Sequence, residues 1–198
     1  DLPRSSIRFF GGEPLLNWPV VKNVLDTAAV GLSPEPRWVV NTNGTLLTDE
    51  HVEAFAAKGQ RLMVALSMDG VGRDHDRLRV LKNGRGTFEQ VDRAARALAA
   101  ARVPFTLSAV VGDHNRHGLM ALARYVVDLR NRYAAPITLS LEPILAPGGD
   151  ERRGQELLSV YDEVISYCWR EGLHVGGKLF WAFDALRDEE GASGHFCA

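Results

Sequence analysis

Short apolar segments typical of β-strands alternate with amphipathic helical segments along this chain of 198 residues. This alternation predicts an α/β fold with a parallel sheet, because parallel strands are joined by helical crossovers that cover the sheet. We expect five βα units whose strands are buried on both faces, and their number favours an incomplete barrel over a three-layer sandwich. The predicted strands are residues 7–10, 38–42, 62–66, 105–111 and 137–141, and the predicted helices are residues 20–28, 48–56, 87–101, 119–133 and 151–171.

The first predicted strand ends abruptly in Gly11-Gly12-Glu13-Pro14. Tandem glycines allow a tight turn and a close approach of the backbone to a ligand, since no Cβ stands in the way. Pro14 fixes φ and can open the helix or turn that follows. Glu13 adds a carboxylate at the carboxyl end of a strand, where α/β proteins place ligand-binding groups. Such an acidic shelf suits a small cation such as an α-ammonium and suits a phosphate poorly.

Composition excludes several classes of function. The formal net charge of −2 gives no basic field of the kind that nucleic-acid binders carry. No apolar run approaches the roughly 20 residues that span a bilayer. The two cysteines, Cys168 and Cys197, do not form a disulfide framework. We therefore expect a cytoplasmic protein that binds neither nucleic acid nor membrane, with Cys168 as a buried core thiol.

Polar residues follow the predicted strands at their carboxyl ends: Glu13, Asn43, Ser67, Asp69 and Glu142. In a βα barrel these ends converge on one mouth, so the five side chains are expected to share a site. The alternative is that strand ends are surface loops and are polar for that reason alone. The joint pattern favours the site.

Four motifs occur in an order and spacing that resemble radical S-adenosylmethionine enzymes, in particular the subgroup with a SPASM-type C-terminal extension. That subgroup includes the anaerobic sulfatase-maturating enzymes and the maturases of ribosomal peptides. The resemblance covers about residues 5–145 and implies a partial (β/α)6 TIM-like barrel. The motifs are Gly11-Gly12-Glu13-Pro14-Leu15-Leu16, Asn41-Thr42-Asn43-Gly44-Thr45-Leu46-Leu47, Ser67-Met68-Asp69-Gly70, and His75-Asp76 with Arg79 and Gly86-Thr87-Phe88.

The resemblance implies that the Gly11–Glu13 segment holds the amino group of S-adenosylmethionine, with Pro14 shaping the turn. An ammonium has three donors and is matched by backbone carbonyls and a carboxylate.

The resemblance also implies how the rest of this ligand is bound. Ser67 and Arg79 would take the methionine carboxylate or ribose hydroxyls, and the planar fork of Arg79 suits a carboxylate. Asp69 belongs to the same motif as Ser67. Asn43 would face the ribose or the substrate, Val110 would flank the adenine, and Glu142 would contact ribose or substrate.

The chain departs from the family in its cysteines. Radical S-adenosylmethionine enzymes bind a [4Fe–4S] cluster through Cys-x-x-x-Cys-x-x-Cys, which is absent here. We expect those ligands upstream of Asp1, so that residues 1–172 form a core barrel without its first strand and cluster loop. Residues 173–198 would lead into a SPASM-type extension, where Cys197 is a possible ligand of an auxiliary iron–sulfur cluster. The chain would then be the middle of a longer enzyme, inactive as it stands.

For the whole enzyme, the resemblance implies cleavage of S-adenosylmethionine to a 5′-deoxyadenosyl radical that takes hydrogen from a peptide or protein side chain. The product would be a cross-link or an oxidised residue, and the electron donor a ferredoxin or flavodoxin. Two alternatives remain open: a non-catalytic peptide-binding module of the same fold, and a βα-barrel enzyme using Glu13, Asp69 and Glu142 for acid–base chemistry.

The loop after the third strand contains two further candidates. Asp74-His75-Asp76 contains metal-ligating residue types, but three consecutive side chains point in different directions, which favours a structural role. The basic residues of this loop are either a solvated surface or the entrance for an acidic peptide. They are Arg73, Arg77, Arg79, Lys82 and Arg85.

Overall fold

A computed structural model describes residues 6–31, 36–144 and 151–177. Cys197 and most of the predicted extension, residues 178–198, lie outside the described residues. The strands are β1 (Ser6–Phe9), β2 (Arg37–Thr42), β3 (Leu62–Ser67), β4 (Phe105–Val111), β5 (Ile137–Pro143) and β6 (Val175–Gly176). The helices are α1 (Trp18–Gly31), α2 (Asp49–Ala56), α3 (Arg73–Asp76), α4 (Phe88–Ala100), α5 (Leu119–Tyr133) and α6 (Glu151–Arg170).

The six strands form one sheet in the order β1-β2-β3-β4-β5-β6, and every neighbouring pair is parallel. Because β1 and β6 are its outer strands, the sheet stays open within the described part of the chain. The partial barrel predicted from the sequence is confirmed. Strand β6 was not predicted, since it has two residues and lies after Gly172, where the apolar pattern weakens.

Burial alternates with a period of two along β3, β4 and β5, so the prediction of strands buried on both faces is wrong for these strands. In β2, Trp38, Val39 and Val40 are all buried. In β4, Phe105 and Leu107 are buried beneath the helices, whereas Thr106 and Ser108 are only partly covered. One face of the sheet therefore packs against helices and carries the core. The other face is concave and lines the interior of the open barrel.

The helix α4 is not capped by the residue at its N-cap, Thr87. The hydroxyl of Thr87 makes no capping bond to the helix. Instead Asp76 Oδ1 accepts the N–H of Phe88 at 2.8 Å. This leaves the Thr87 hydroxyl available to the loop that precedes α4. None of the helices in the described ranges is both long enough and apolar enough to cross a bilayer.

Candidate functional site

The Glu13 carboxylate links the end of β1 to the end of β2. Its Oε1 accepts the N–H of Leu15 at 3.1 Å and the hydroxyl of Thr42 at 2.7 Å, and its Oε2 accepts the N–H of Asn43 at 2.7 Å. A carboxylate has about four acceptor positions, so one remains for a further donor. Glu13 is therefore a structural brace that can still accept one further hydrogen bond.

The two glycines before Glu13 leave space beside it. A Cβ built on Gly11 or Gly12 would meet nothing within 4 Å, and the φ of Gly11 is +148°, a value that favours glycine. A side chain at Gly12 would therefore not clash with any of the described residues, so packing does not explain why this position is a glycine. The backbone of this shelf is open to a ligand.

Asn43 is bonded to Glu13 and lines a cavity together with Arg79. Its Oδ1 accepts both the N–H and the hydroxyl of Thr45, at 2.9 and 2.7 Å, which fixes the turn after β2. The cavity has a volume of about 270 Å³, and Thr45 and Thr87 also line it. The structure thus brings three predicted site residues, Glu13, Asn43 and Arg79, to one edge of the sheet.

Asp69 and Arg79 form a bidentate ion pair. Arg79 Nε donates to Asp69 Oδ2 at 2.5 Å, and Arg79 Nη2 donates to Asp69 Oδ1 at 3.2 Å. Asp69 is almost fully buried, whereas the Arg79 side chain keeps about a quarter of its surface exposed. Nη1 of Arg79 has no protein partner in the described ranges, so the guanidinium retains donors for a ligand at the cavity wall.

Asp69 also ties β3 to β4. Its Oδ1 accepts the N–H of Val110 at 2.9 Å, and its own carbonyl accepts from Asn115 Nδ2 at 2.6 Å. Asn115 is buried, donates a second bond to the Val110 carbonyl and accepts the N–H of Gly112. Val110 is held in this way at the position predicted to flank the adenine.

His75 and Thr87 complete a closed ring of hydrogen bonds with Asp69 and Arg79, which we call the Asp69 ring. The N–H of Asp69 donates to His75 Nδ1 at 3.2 Å, and His75 Nε2 lies 3.0 Å from Thr87 Oγ1. The Thr87 hydroxyl donates to the Arg79 carbonyl at 2.9 Å. Burial, followed by the Arg79 charge, lowers the pKa of His75, which favours the neutral imidazole that this pattern requires.

Ser67 and Glu142 lie on the concave face of the sheet and are not members of the Asp69 ring. Ser67 is the last residue of β3, and Glu142 accepts a hydrogen bond from Ser140 at 3.1 Å. Glu142 also lines a cavity of about 460 Å³ on this face, together with Asn41, Ser108, Ser140 and other strand residues. Glu142 pairs in register with Val110, so it belongs to the same carboxyl edge.

The sequence missed the residues that hold this site together. His75 was considered only as a metal ligand or loop residue, and the structure confirms the structural role. Asn115 could not be recognised as part of the site from the sequence, because its partner Asp69 is 46 positions away. Cys168 is a buried free thiol, as predicted.

The described residues do not fit an iron–sulfur cluster. Cys168 is their only cysteine, and no three His, Cys, Asp or Glu side chains among them are grouped so that they could hold a metal ion. Three thiolates are needed to bind a [4Fe–4S] cluster that leaves one iron open. The Glu13 carboxylate beside two glycines and the Arg79 guanidinium are, in contrast, groups of the kind that pair with the ammonium and carboxylate of an amino acid.

Comparison with known proteins extends this picture. The family model described as Radical SAM superfamily matches residues 1–126. The AdoMet-dependent heme synthase of Methanosarcina barkeri is 38% identical over 107 residues, which are 53% of this chain and 28% of that protein. The serine-type anaerobic sulfatase-maturating enzyme of Bacteroides thetaiotaomicron is 36% identical over 92 residues, which are 46% of this chain and 20% of that protein.

A similar fold occurs among solved structures. Native anSMEcpe with bound AdoMet and Cp18Cys peptide has a TM-score of 0.72 at 20% identity, covering 95% of this chain and 54% of that one. At this identity the likeness shows the fold alone. The chain spans less than half the length of the curated relatives it matches.

Proposed function

The chain belongs to the radical SAM superfamily, and we propose that it carries the S-adenosylmethionine site of a maturase that modifies a peptide or protein. The observation that carries the proposal is the placement of Glu13, Asn43 and Arg79 along one edge of the sheet. A carboxylate beside open glycines suits the amino group of the ligand, and a guanidinium with donors to spare suits its carboxylate.

The binding roles proposed for the remaining residues follow the same edge. Gly11 and Gly12 offer backbone carbonyls beside Glu13, and Pro14 begins the following 3-10 turn. Val110 is proposed to flank the adenine, where Asp69 and Asn115 fix its backbone. From the concave face, Ser67 would contact the methionine carboxylate or the ribose, and Glu142 would contact the ribose or the substrate.

A peptide substrate is supported by the chemistry of the concave face and by a relative. Five of the residues that line the cavity beside Glu142 carry hydroxyl or amide side chains that can bond to peptide groups: Asn41, Thr106, Ser108, Thr138 and Ser140. The sulfatase-maturating relative acts on a protein, as its name states. The heme synthase relative favours a second candidate, a small molecule of heme formation.

The acid–base alternative has less support. Asp69 accepts three hydrogen bonds, two of them from Arg79, and Glu13 also accepts three. Carboxylates whose acceptor positions are mostly occupied in this way have little room to exchange a proton with a substrate. They act better as fixed partners of a cation.

Parts of the proposed enzyme lie outside the described residues. The electron that cleaves S-adenosylmethionine in this family comes from a reduced [4Fe–4S] cluster, for which the described residues offer no ligands. We propose that residues 173–198 lead into a SPASM-type extension with Cys197 as an auxiliary-cluster ligand. A ferredoxin or flavodoxin would supply the electron.

The proposal is tested on the full-length gene product purified without oxygen. With S-adenosylmethionine and a strong reductant, the wild type should show iron–sulfur absorbance and release 5′-deoxyadenosine, measured by mass spectrometry. Glu13→Ala and Arg79→Ala should retain the cluster absorbance but bind S-adenosylmethionine at least about tenfold more weakly. Arg93→Ala, on the exposed face of α4, is the matched control. A protein without cluster and without S-adenosylmethionine cleavage would refute the proposal.

The substrate class is tested in the same assay. Adding peptides with Ser or Cys side chains should increase 5′-deoxyadenosine release and change the mass of the peptide. Stimulation only by a heme precursor would instead select the second candidate.

A further inference from the structure

His75 is a fully buried histidine for which the proposed function has no direct use. Its relative exposure is 0%, and it has a hydrogen-bond partner on each ring nitrogen. The Asp69 N–H can only donate, so Nδ1 of His75 must carry the lone pair. Nε2 therefore carries the proton and donates it to Thr87 Oγ1.

The Asp69 ring fixes Arg79 at both of its ends. The main chain of Arg79 is held because its N–H donates to the His75 carbonyl at 3.2 Å and its carbonyl accepts from both the N–H and the hydroxyl of Thr87. The guanidinium is held by the two bonds to Asp69. An arginine held at both ends loses little rotamer freedom when it binds a ligand, which lowers the cost of binding.

We propose that His75 is a positioning residue that holds Arg79 in the orientation that binds the carboxylate of S-adenosylmethionine. The proposal rests on the proposed function, because it assumes that ligand at Arg79. Within the ring, His75 is the link between the backbone of Asp69 and the hydroxyl of Thr87, so its loss removes one hydrogen bond from each of the two residues that anchor Arg79.

Protonation of His75 would break the ring at a defined bond. A proton on Nδ1 would face the Asp69 N–H, placing donor against donor. The charged groups acting on the ring are Arg79, which opposes the imidazolium, and Asp69 and Asp76, which favour it. The Phe88 ring packs against the imidazole at 6.1 Å and adds no charge. The neutral form is therefore the one that maintains the positioning.

The test uses three neutral replacements in the full-length protein. His75→Asn keeps an acceptor close to the position of Nδ1, His75→Gln keeps a donor close to Nε2, and His75→Phe removes both. His117→Gln, at an exposed histidine, is the matched control. Binding of S-adenosylmethionine is measured by titration calorimetry from about pH 7.5 to about pH 5.5, alongside cluster absorbance, thermal midpoint and kcat.

We expect His75→Phe to weaken binding by about tenfold or more near pH 7.5, with His75→Asn and His75→Gln between it and the wild type. At saturating ligand, kcat should stay within about threefold, because the ring acts on binding rather than on the reacting atoms. Binding by the wild type and by His117→Gln should weaken below about pH 6.5, and the His75 variants should lose this additional dependence. Ionisation of the ligand is common to all variants and cancels in the comparison.

A second pair of variants keeps the test decisive if His75→Phe does not fold. Thr87→Val removes the hydroxyl that joins His75 to Arg79 and should weaken binding, and Thr87→Ser should restore it. If the His75 and Thr87 variants bind with the wild-type affinity and pH profile, or merely lower the thermal midpoint, the positioning role is wrong. A wild type that does not bind S-adenosylmethionine would refute the proposed function instead.

Discussion

Replacing Glu13 by alanine removes three hydrogen bonds, two of which join the end of β1 to the end of β2. Hydrogen bonds to a charged group contribute about 1.5–3 kcal/mol each when buried. Glu13 is only half-buried, and water can reach the released N–H groups of Leu15 and Asn43, so each bond should count below that range. We therefore expect Glu13→Ala to lower the free energy of unfolding by about 2–3 kcal/mol.

Urea unfolding of the full-length protein, followed by circular dichroism, measures this loss. With an m-value of about 1–3 kcal/mol per molar urea, the midpoint should fall by roughly 1 M. Glu13→Gln should lose about half as much, since its amide oxygen can still accept while its NH2 group opposes an N–H. Glu53→Gln, at an exposed position of α2, serves as the control. A midpoint for Glu13→Ala within about 0.2 M of the wild type would refute the bracing role.

Two further predictions concern stability. Burial lowers the pKa of both His51 and His75, so these histidines take up protons in the unfolded chain before they do in the folded one as the pH falls. The urea midpoint should therefore be constant above about pH 7 and should decrease below about pH 6.5. A midpoint that rises on acidification would contradict this. Gly44 has φ +76°, and a Cβ on it would lie 2.5 Å from Cδ1 of the buried Leu66, whereas Gly59, with φ +56°, faces open space. Gly44→Ala should therefore cost about 2–3 kcal/mol and Gly59→Ala about 1 kcal/mol in urea unfolding, and equal costs would show that the contact with Leu66 is unimportant.

Most of the fold could be predicted because helices and strands place apolar residues at different periods. The five predicted strands and the helices between them are present, with ends shifted by a few residues. What could not be predicted depends on contacts distant in sequence. An apolar residue such as Met63 gives no sign that it faces an open concavity rather than a core. Strand β6 is recognisable only by its pairing with β5.

The sequence pointed to individual residues of the candidate site, but not to the hydrogen bonds between them. Glu13, Asn43, Asp69 and Arg79 could be found because each follows a strand or belongs to a recognisable motif. Their partners could not, because a sequence does not reveal that Asp69 and Arg79 bind one another rather than a ligand. The role of His75 was hidden for the same reason, since its two partners lie six residues before it and twelve after it.

The claim that S-adenosylmethionine binds at this edge of the sheet is tested most directly by a crystal structure of the full-length protein, grown without oxygen in its presence. We predict that the amino nitrogen of the ligand lies within about 3.2 Å of a backbone carbonyl of Gly11 or Gly12 or of the Glu13 carboxylate. The ligand carboxylate should lie within the same distance of an Arg79 nitrogen. A ligand bound elsewhere, or one whose amino group points away from Glu13, would contradict it.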